Sequence, residues 1–352
     1  MQKETHTENI LLEGQHVSIG YRQKKQDVCI HADLNFRLHQ GELTCLLGAN
    51  GSGKSTLLRT LSAVQPSLSG DIRLLDKSLN DYTERERSRT IGVVLTERTQ
   101  TGGLTVSELV ALGRQPHTGF FGRLNATDQK RIADAIESVG ITRLARSYMA
   151  ELSDGERQKA FIAKALVQEC PLILLDEPTA FLDVVSRIEI MNLLRRLARE
   201  EQKAILLSTH DIDQALLLAD RLWLLRAHQD LTCGVTEELT CGVTEDLILA
   251  HQLDDLFPTT NICFDAQNGT YMPRPEYNKT ILLEAADARL RHWSENALHR
   301  LGYKCISEET TTRPSTLRLT VASPHQLTLH TSTEETVFTT YEALLRELMK
   351  QS

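Results

Sequence analysis

Apolar residues occur in short segments, separated by glycine and polar turns, from residue 17 to residue 91. Segments of this length and spacing predict β-strands at 17–21, 34–38, 43–47 and 72–75. One helix interrupts the strands, because Leu57, Leu58 and Leu61 recur at helical spacing after the glycine-rich stretch 48–53.

Helical periodicity dominates after a further predicted strand at 91–95. Amphipathic helices are predicted at 106–112, 127–139, 156–169 and 184–199. The segments 172–175 and 204–208 are instead apolar throughout, as parallel strands are when helices cover both faces of the sheet. This alternation indicates an α/β core, and the helices at about 97 to 170 form an insertion in it.

The pattern changes again after residue 257. A turn at Gln267-Asn268-Gly269, between strands at 262–265 and 270–272, is typical of a hairpin. A strand at 280–284 and three more near 303–307, 317–321 and 327–330 alternate with two predicted helices. The apolar faces of these helices carry Leu290, Trp293, Ala297 and Leu301 in the first, and Phe338, Tyr341, Leu344, Leu345 and Leu348 in the second. We therefore expect one domain over 10–257 and a small α+β domain over 258–352, in which we find no catalytic constellation.

Composition narrows the class of protein. The chain has 352 residues, of which 41% are hydrophobic, so it can form a packed core and is neither disordered nor fibrous. No apolar run approaches the roughly 18 residues of a membrane span, and we expect a soluble, cytoplasmic protein. The formal charge of −8 argues against nucleic acid as a partner.

One loop carries a pattern typical of phosphate binding. The pattern G-x-x-x-x-G-K-[ST] lies directly after one apolar strand and before a helix, which is the context it requires. Backbone N–H groups of such a loop and the helix amino terminus bind phosphate oxygens, Lys54 would reach the β- and γ-phosphates, and Ser55 would bind Mg²⁺. The candidate nucleotide-binding residues are Gly48, Ala49, Asn50, Gly51, Ser52, Gly53, Lys54, Ser55 and Thr56.

Two carboxylates end the buried strand at 172–175. Asp176 is placed to hold Mg²⁺ together with Ser55, and Glu177 to orient or deprotonate the attacking water. The strand could simply end at the surface in acidic residues, but the loop at 48–56 favours the catalytic interpretation.

Further motifs, in order, resemble those of ATP-binding cassette (ABC) ATPases. Tyr21 matches the adenine-stacking aromatic, Asp183 in Phe181-Leu182-Asp183 the D-loop, and His210 in Ser208-Thr209-His210-Asp211 the residue that senses the γ-phosphate. The signature sequence is matched by Leu152, Ser153, Asp154, Gly155 and Glu156, followed by Arg157 and Gln158. The resemblance covers about residues 10 to 257. It implies a P-loop cassette with a mostly parallel sheet, an antiparallel β subdomain and the helical insertion.

The resemblance also implies ATP hydrolysis, with Glu177 and His210 as catalytic residues and ATP and Mg²⁺ as ligands. In the family, each signature contacts the nucleotide bound by the other cassette, so one set of motifs implies a homodimer. The sequence departs from the family at Glu97, where a glutamine is usual, and at Asp154 and Glu156, where glycine and glutamine are commoner. Glu97 puts in doubt how the nucleotide state is transmitted to a partner.

The segment 105–118 and the residues around Asp183 resemble the cassettes of importers for ferric siderophores, haem and cobalamin. The expected partners are a separate dimeric permease in the membrane and, indirectly, a periplasmic or lipid-anchored substrate-binding protein. The cassette would lie on the cytoplasmic side of the membrane, with the helical insertion facing the permease. The alternative is a soluble, non-transport ABC ATPase acting on nucleic acid or ribosomes. Such chains usually join two cassettes or carry a long coiled coil, and this sequence has neither.

An eight-residue duplication follows the cassette motifs. The sequence Thr-Cys-Gly-Val-Thr-Glu-Glu-Leu at 232–239 recurs, with aspartate in the seventh position, at 240–247. Its period is too short for a solenoid repeat. We expect it to lengthen a surface turn, where insertions cost little.

Overall fold

The computed structural model describes residues 9–22, 27–95, 103–119, 122–226, 238–257, 261–266, 268–274, 276–307, 317–332 and 334–350. Glu97, Gln267 and most of the first repeat copy, 232–237, lie outside the described residues. The chain divides into two compact units, with the division between Met272 and Pro273.

The first unit contains the cassette motifs. Its strands are β1 (Ile10–Tyr21), β2 (Val28–His39), β3 (Leu43–Leu47), β4 (Ser69–Leu74), β5 (Lys77–Ser78), β6 (Ile91–Val94), β7 (Leu172–Asp176), β8 (Ala204–Ser208), β9 (Arg221–Leu225), β10 (Leu239–Val243), β11 (Ile262–Asp265) and β12 (Thr270–Pro273). Its helices are α1 (Lys54–Leu61), α2 (Glu84–Thr90), α3 (Val106–Leu112), α4 (Ala126–Ser138), α5 (Asp154–Leu166), α6 (Val184–Glu200), α7 (Ile212–Leu218) and α8 (Thr244–Leu249). Short 3-10 turns lie at Leu79–Asp81, Gln115–His117, Thr142–Leu144 and Met149–Glu151.

The central sheet has the strand order β10-β9-β3-β8-β7-β6, and among the described residues only the β10–β9 pair is antiparallel. Alternate residues of its strands enter two hydrophobic cores, with Leu47 and Leu175 in one and Leu46 and Leu174 in the other. Both faces are therefore covered, which explains the continuous apolar runs. A second sheet, β2-β1-β4-β5, is antiparallel. Both sheets agree with the predicted fold class.

The helical insertion consists of α3, α4 and α5, and side chains at their amino termini cap all three. Thr105, Asn125 and Ser153 each accept a hydrogen bond from the backbone N–H three residues later, where an acidic side chain reaches back to the cap. These reciprocal bonds satisfy N–H groups that have no partner within the helix. The sequence thus fixes where each helix begins.

Arg114, just after α3, connects the three helices. It is 3% exposed, and its guanidinium bonds Asp128 Oδ1 in α4 and, at 2.8 Å, the Val167 carbonyl at the end of α5. A second bond of 2.8 Å joins it to Glu169. The buried charge is thus paired on both sides, as burial of an arginine requires.

The hairpin of β11 and β12 lies in the first unit, whereas its sequence pattern assigns it to the domain after residue 257. The ring of Tyr271 lies 5.0 Å from those of Phe257 and Phe264, and its hydroxyl donates to the Leu253 carbonyl at 2.6 Å. These aromatic rings pack against the core of the first unit. The division therefore falls later in the chain than the predicted boundary.

The second copy of the repeat differs from the predicted lengthening of a surface turn. The second copy, 240–247, continues β10 and begins α8. Its Thr244 is buried and donates a hydrogen bond to the Ala219 carbonyl at 2.8 Å. This copy therefore forms part of the packed structure of the unit.

The second unit has its own core around a five-stranded sheet. Its elements are β13 (Lys279–Ala285), α9 (Ala288–His299), β14 (Tyr303–Ile306), β15 (Arg318–Ser323), β16 (Gln326–His330), β17 (Glu335–Phe338) and α10 (Tyr341–Lys350), with the strand order β14-β13-β15-β16-β17. Phe338 lies in β17 and not in the last helix as predicted. The residues of this edge strand are mostly exposed, so they lack the alternation that marks a half-buried strand.

Within the described residues of both units, no helix is long and apolar enough to cross a membrane.

We expect Arg114→Leu to lower the free energy of unfolding by about 3–5 kcal/mol, because it leaves the buried Asp128 carboxylate without its cation. Urea denaturation followed by circular dichroism measures this change. Arg143→Leu is the matched control, because this arginine is 84% exposed and lies 3.8 Å from its partner, Glu156. Equal stability of the two variants would contradict the assigned role of Arg114.

Candidate nucleotide-binding site

The glycine-rich loop joins β3 to α1 at the carboxyl edge of the central sheet. Gly51 and Gly53 adopt φ values of 77° and 95°, in the left-handed region that favours glycine. A Cβ at Gly53 would also lie 3.0 Å from Ile30 Cγ2. The loop curls before the first turn of α1, whose partly positive end faces the same space.

Lys54 is 6% exposed, and its ammonium lies inside the curl of the loop. Its Nζ donates to the carbonyl oxygens of Gly48 at 2.8 Å and Ala49 at 3.0 Å. Burial lowers the pKa of Lys54, whereas the carboxylates of Glu177 and Asp176 act in the opposite direction. An ammonium in this position can exchange its carbonyl partners for phosphate oxygens of a bound nucleotide.

Asp176 lies at the end of β7, beside the loop. Its Oδ1 accepts hydrogen bonds from Ser55 Oγ at 3.3 Å and from Ser208 Oγ at 2.7 Å. Carboxylate and hydroxyl oxygens are ligands of the kind that Mg²⁺ prefers. The donor set of Asp176 and Ser55 therefore fits Mg²⁺.

Ser208 is a residue that the motif analysis did not assign to the site. It is fully buried at the end of β8, donates to Asp176, and accepts a hydrogen bond from the Glu177 N–H at 2.9 Å. The Ser208 hydroxyl thus orients the side chain of Asp176 and the backbone of Glu177. The signal was present in the sequence, because two buried parallel strands that end in Asp176 and Ser208 would bring these ends together, as the observed register does.

Glu177 and His210 are in direct contact. His210 Nε2 lies 2.5 Å from Glu177 Oε1, and the two side chains are 45% and 30% exposed. Glu177 has a φ of 48°, which turns its side chain out of the line of β7. A carboxylate and an imidazole arranged in this way can orient a water molecule and move its proton.

The next residue, Asp211, fixes the position of the segment that contains His210. Its carboxylate accepts hydrogen bonds from Thr179 Oγ1 at 2.7 Å and from Arg187 Nη1 at 2.6 Å. Thr179 follows the strand that ends in Asp176, and Arg187 lies in α6. The position of His210 is therefore tied to both neighbouring segments.

Tyr21, the predicted adenine contact, lies beside the loop. Its hydroxyl is 3.0 Å from Thr56 Oγ1, and 42% of the residue is exposed. The exposed ring can accept a base on one face. Adenine stacking itself stays a prediction.

The signature residues begin α5. Ser153 Oγ accepts a hydrogen bond from the Glu156 N–H at 3.3 Å, and Glu156 Oε2 accepts from the Ser153 hydroxyl at 2.9 Å and the Ser153 N–H at 3.1 Å. These bonds to Ser153 lower the pKa of Glu156, so it stays ionised. Asp154 pairs with Arg157 at 2.8 Å, and Leu152 is buried.

The signature and the D-loop are neighbours within the chain. Gly155 is buried, and a Cβ there would lie 2.8 Å from Ser186 Oγ. The same serine donates its N–H to Asp183 Oδ1 at 2.9 Å, so Asp183 caps α6. Glycine at 155 thus permits the close approach of α5 and α6.

The glycine loop after β3, the acidic pair at the end of β7 and the histidine after β8 together define a P-loop nucleotide hydrolase. The chain belongs to the family of ABC transporter ATP-binding proteins, and this membership makes it an ATP hydrolase. Residues 31–180 match the family described as ABC transporter, and residues 278–349 match the iron ABC transporter C-terminal domain. These findings confirm the family resemblance of the sequence.

Similar curated proteins support the same membership. The ferric enterobactin transport ATP-binding protein FepC of Escherichia coli is 38% identical over 215 residues, which cover 61% of this chain and 78% of that protein. The iron(3+)-hydroxamate import ATP-binding protein FhuC of Bacillus subtilis is 39% identical over 204 residues, which cover 58% of this chain and 74% of that protein.

Solved structures agree with the fold. A transporter described as of the metal-chelate type, in an inward-facing conformation, has a TM-score of 0.59 at 26% identity, covering 75% of this chain and 96% of that one. A dimeric ATP-binding cassette in a post-hydrolysis state with ADP and phosphate has a TM-score of 0.53 at 26% identity, covering 62% and 94%.

We expect Ser208→Ala to lower kcat/KM for ATP about tenfold, because it removes a hydrogen bond to the Asp176 side chain and leaves the Glu177 N–H without its acceptor. Steady-state phosphate release measures the change. Thr244→Val is the matched control, since it removes a buried hydroxyl far from the motifs and should alter turnover less than about twofold. A Ser208→Ala enzyme as active as this control would show that Ser208 does not organise the site.

Proposed function

We propose that this chain is the ATP-hydrolysing subunit of an importer that takes up ferric siderophores, or the related cargoes haem or cobalamin, through a separate permease. The observation that carries the proposal is that both the cassette and the second unit match proteins or domains of iron transport. The cassette resembles proteins named for ferric enterobactin and iron hydroxamate transport, and the second unit matches a domain described for iron ABC transporters. Those names favour a ferric siderophore over haem or cobalamin.

In this proposal the loop residues bind the nucleotide. Backbone N–H groups of the loop and the Lys54 ammonium bind the β- and γ-phosphates, while Tyr21 stacks on adenine. Ser55 and Asp176 would hold Mg²⁺, which neutralises charge on the phosphates when bound. Ser208 keeps Asp176 and Glu177 in their places.

Hydrolysis then depends on Glu177 and His210. Glu177 orients the attacking water and accepts its proton, while His210 donates a hydrogen bond to the γ-phosphate. Because His210 Nε2 lies 2.5 Å from Glu177 Oε1, the two side chains must separate when a nucleotide binds. Glu177 is then available to the attacking water and His210 to the γ-phosphate. The bonds that Asp211 makes keep His210 within reach while this exchange occurs.

A second copy of the chain completes the site in this proposal. Exposed apolar side chains surround the D-loop, with Phe181 79%, Val184 66% and Val185 66% exposed. They lie next to the signature through the contact of Gly155 with Ser186. A homodimer would cover this apolar surface and bring Ser153 and Gly155 to the nucleotide of the partner, and the dimeric cassettes among the similar structures support it.

The membrane partners follow from the same proposal. The dimer would bind a permease dimer at the cytoplasmic face of the membrane, through the helical insertion and the segment that contains Glu97. Leu112 at the end of α3 is 40% exposed and offers an apolar contact there. A substrate-binding protein would deliver cargo on the other side, and nucleic acid would have no role.

We expect Glu177→Gln to bind MgATP as tightly as the unaltered protein, to accumulate as a dimer with ATP, and to lose turnover by about 100-fold or more, because the amide accepts no proton. Nucleotide titration, light scattering and phosphate release measure the three properties. Glu189→Gln is the matched control, since Glu189 is exposed in α6 and pairs with Lys159. Undiminished hydrolysis in Glu177→Gln would contradict the role of Glu177.

Transport is tested by reconstituting the chain with its permease and binding protein in lipid vesicles. We expect ATP-dependent uptake of a ferric siderophore, and none with Glu177→Gln in the same vesicles. Uptake of haem or cobalamin instead would correct the cargo and keep the function. Isolation of the chain with ribosomes and without a polytopic membrane protein would contradict an importer.

A further inference from the structure

A buried histidine on β2 contacts the phosphate-binding loop from behind. His31 is 1% exposed, and its Nε2 lies 2.6 Å from the Ser52 carbonyl oxygen. Its other ring nitrogen, Nδ1, lies 2.8 Å from Glu238 Oε2. None of the nucleotide-binding motifs identified in the sequence includes His31 or Glu238.

The partners of His31 determine where its protons lie. A carbonyl oxygen only accepts hydrogen bonds, so Nε2 must carry a hydrogen. Glu238 Oε2 also accepts a hydrogen bond from the Ala32 N–H at 3.0 Å. Both ring nitrogens of His31 are thus engaged, Nε2 by the loop carbonyl and Nδ1 by the Glu238 carboxyl group.

The bond to Ser52 orients one peptide unit of the loop. The Ser52–Gly53 peptide is trans, so its C=O and N–H point in opposite directions. Because His31 holds the oxygen, the Gly53 N–H is turned to the opposite side, toward the space enclosed by the loop. A hydrogen bond accepted by the oxygen also strengthens the dipole of this peptide unit, whose N–H end can face a phosphate.

The packing at Gly53 shows how close β2 comes to the loop. A Cβ at Gly53 would lie 3.0 Å from Ile30 Cγ2 and 3.1 Å from His31 Cδ2. The φ of 95° at Gly53 requires glycine independently of this contact. The ring of His31 thus forms the wall against which the peptide turns.

We propose that His31 and Glu238 are positioning residues for nucleotide binding, in which the carboxyl group of Glu238 fixes the orientation of the His31 ring and His31 aims the Gly53 N–H at the phosphates. The pair touches no nucleotide and acts through the loop backbone. Because both ring nitrogens are engaged, replacing either partner breaks the same chain of hydrogen bonds.

The proposal gives the repeat a role. Glu238 is the seventh residue of the first copy, and its counterpart in the second copy is Asp246 in α8. Glu238 is 9% exposed and bonded to β2, whereas Asp246 lies in the first turn of a helix. The seventh position of the repeat therefore contacts β2 behind the phosphate-binding loop in the first copy, and lies in the first turn of α8 in the second copy.

The test compares the affinity for MgADP of His31→Gln, Glu238→Gln and the double variant, using titration of a fluorescent ADP analogue. We expect the dissociation constant to rise about tenfold, equivalent to about 1.4 kcal/mol, in each single variant. The double variant should bind MgADP no more weakly than the weaker-binding single variant, because both changes break the same chain of hydrogen bonds. KM for ATP should rise with kcat nearly unchanged, since the pair acts on binding and not on Glu177.

The matched control is His39→Gln. His39 is a second buried histidine of β2, 9% exposed at its side chain, whose Nδ1 lies 3.9 Å from Glu42 and not beside the loop. It should shift the thermal unfolding midpoint without changing nucleotide affinity. Wild-type affinity in folded His31→Gln or Glu238→Gln protein would overturn the proposal, as would a double variant in which the two losses add.

Glu238→Asp keeps the test decisive if His31→Gln does not fold. Aspartate retains the negative charge beside His31, so this variant should bind MgADP more tightly than Glu238→Gln. Equal affinity of Glu238→Asp and Glu238→Gln would show that the carboxylate at position 238 has no effect on the loop, and would also overturn the proposal.

Discussion

The pairing of three parallel strands is the constraint on which the rest of the structure depends. β8 lies between β3 and β7, and their register sets Leu46 and Asp176 on either side of Ser208. The phosphate-binding loop follows β3, the acidic pair belongs to β7 and the segment after it, and His210 follows β8. A slip of one residue in either pairing would turn the side chains of a strand to the opposite face. Burial on both faces prevents that slip, because every residue of β3 and β8 is buried.

Charge at the site is local and independent of the net charge of the chain. Lys54 is buried between loop carbonyls and near two carboxylates, and His31 lies behind the loop with Glu238. A buried charge needs partners to offset its desolvation, and Lys54 has them in the carbonyls of its own loop and in the carboxylates of Asp176 and Glu177. Binding of a phosphate exchanges one set of partners for another at little cost. A net charge of −8 is therefore compatible with tight binding of an anion.

Local sequence patterns predicted most of the fold, but they could not predict contacts between residues that are far apart in the sequence. Apolar runs such as 172–175 and 204–208 predict buried strands, and the glycines and lysine at 48–56 predict the phosphate-binding loop. His31 and Glu238 are separated by 207 positions, and neither lies in a nucleotide-binding motif. The hairpin ending in β12 shows the same limit, since turn signals reveal a hairpin but not that Tyr271 packs on Phe257. Phe338 was placed in a helix because an exposed edge strand leaves no periodic signal.

The glutamate at 156 has a physical consequence for closure of a dimer. Its carboxylate binds the hydroxyl and N–H of Ser153, which are the groups that would receive the phosphate of a partner's nucleotide. An ionised carboxylate so close to a phosphate would be repelled, and its lowered pKa keeps it ionised. Arg143, 3.8 Å away, and Lys159 offset part of that charge. In the proposed homodimer, closure would therefore require the Ser153 hydroxyl to leave Glu156 for the phosphate, an exchange that an uncharged glutamine would oppose less. The signature would then keep its helix cap until a nucleotide on the opposite subunit competes for Ser153.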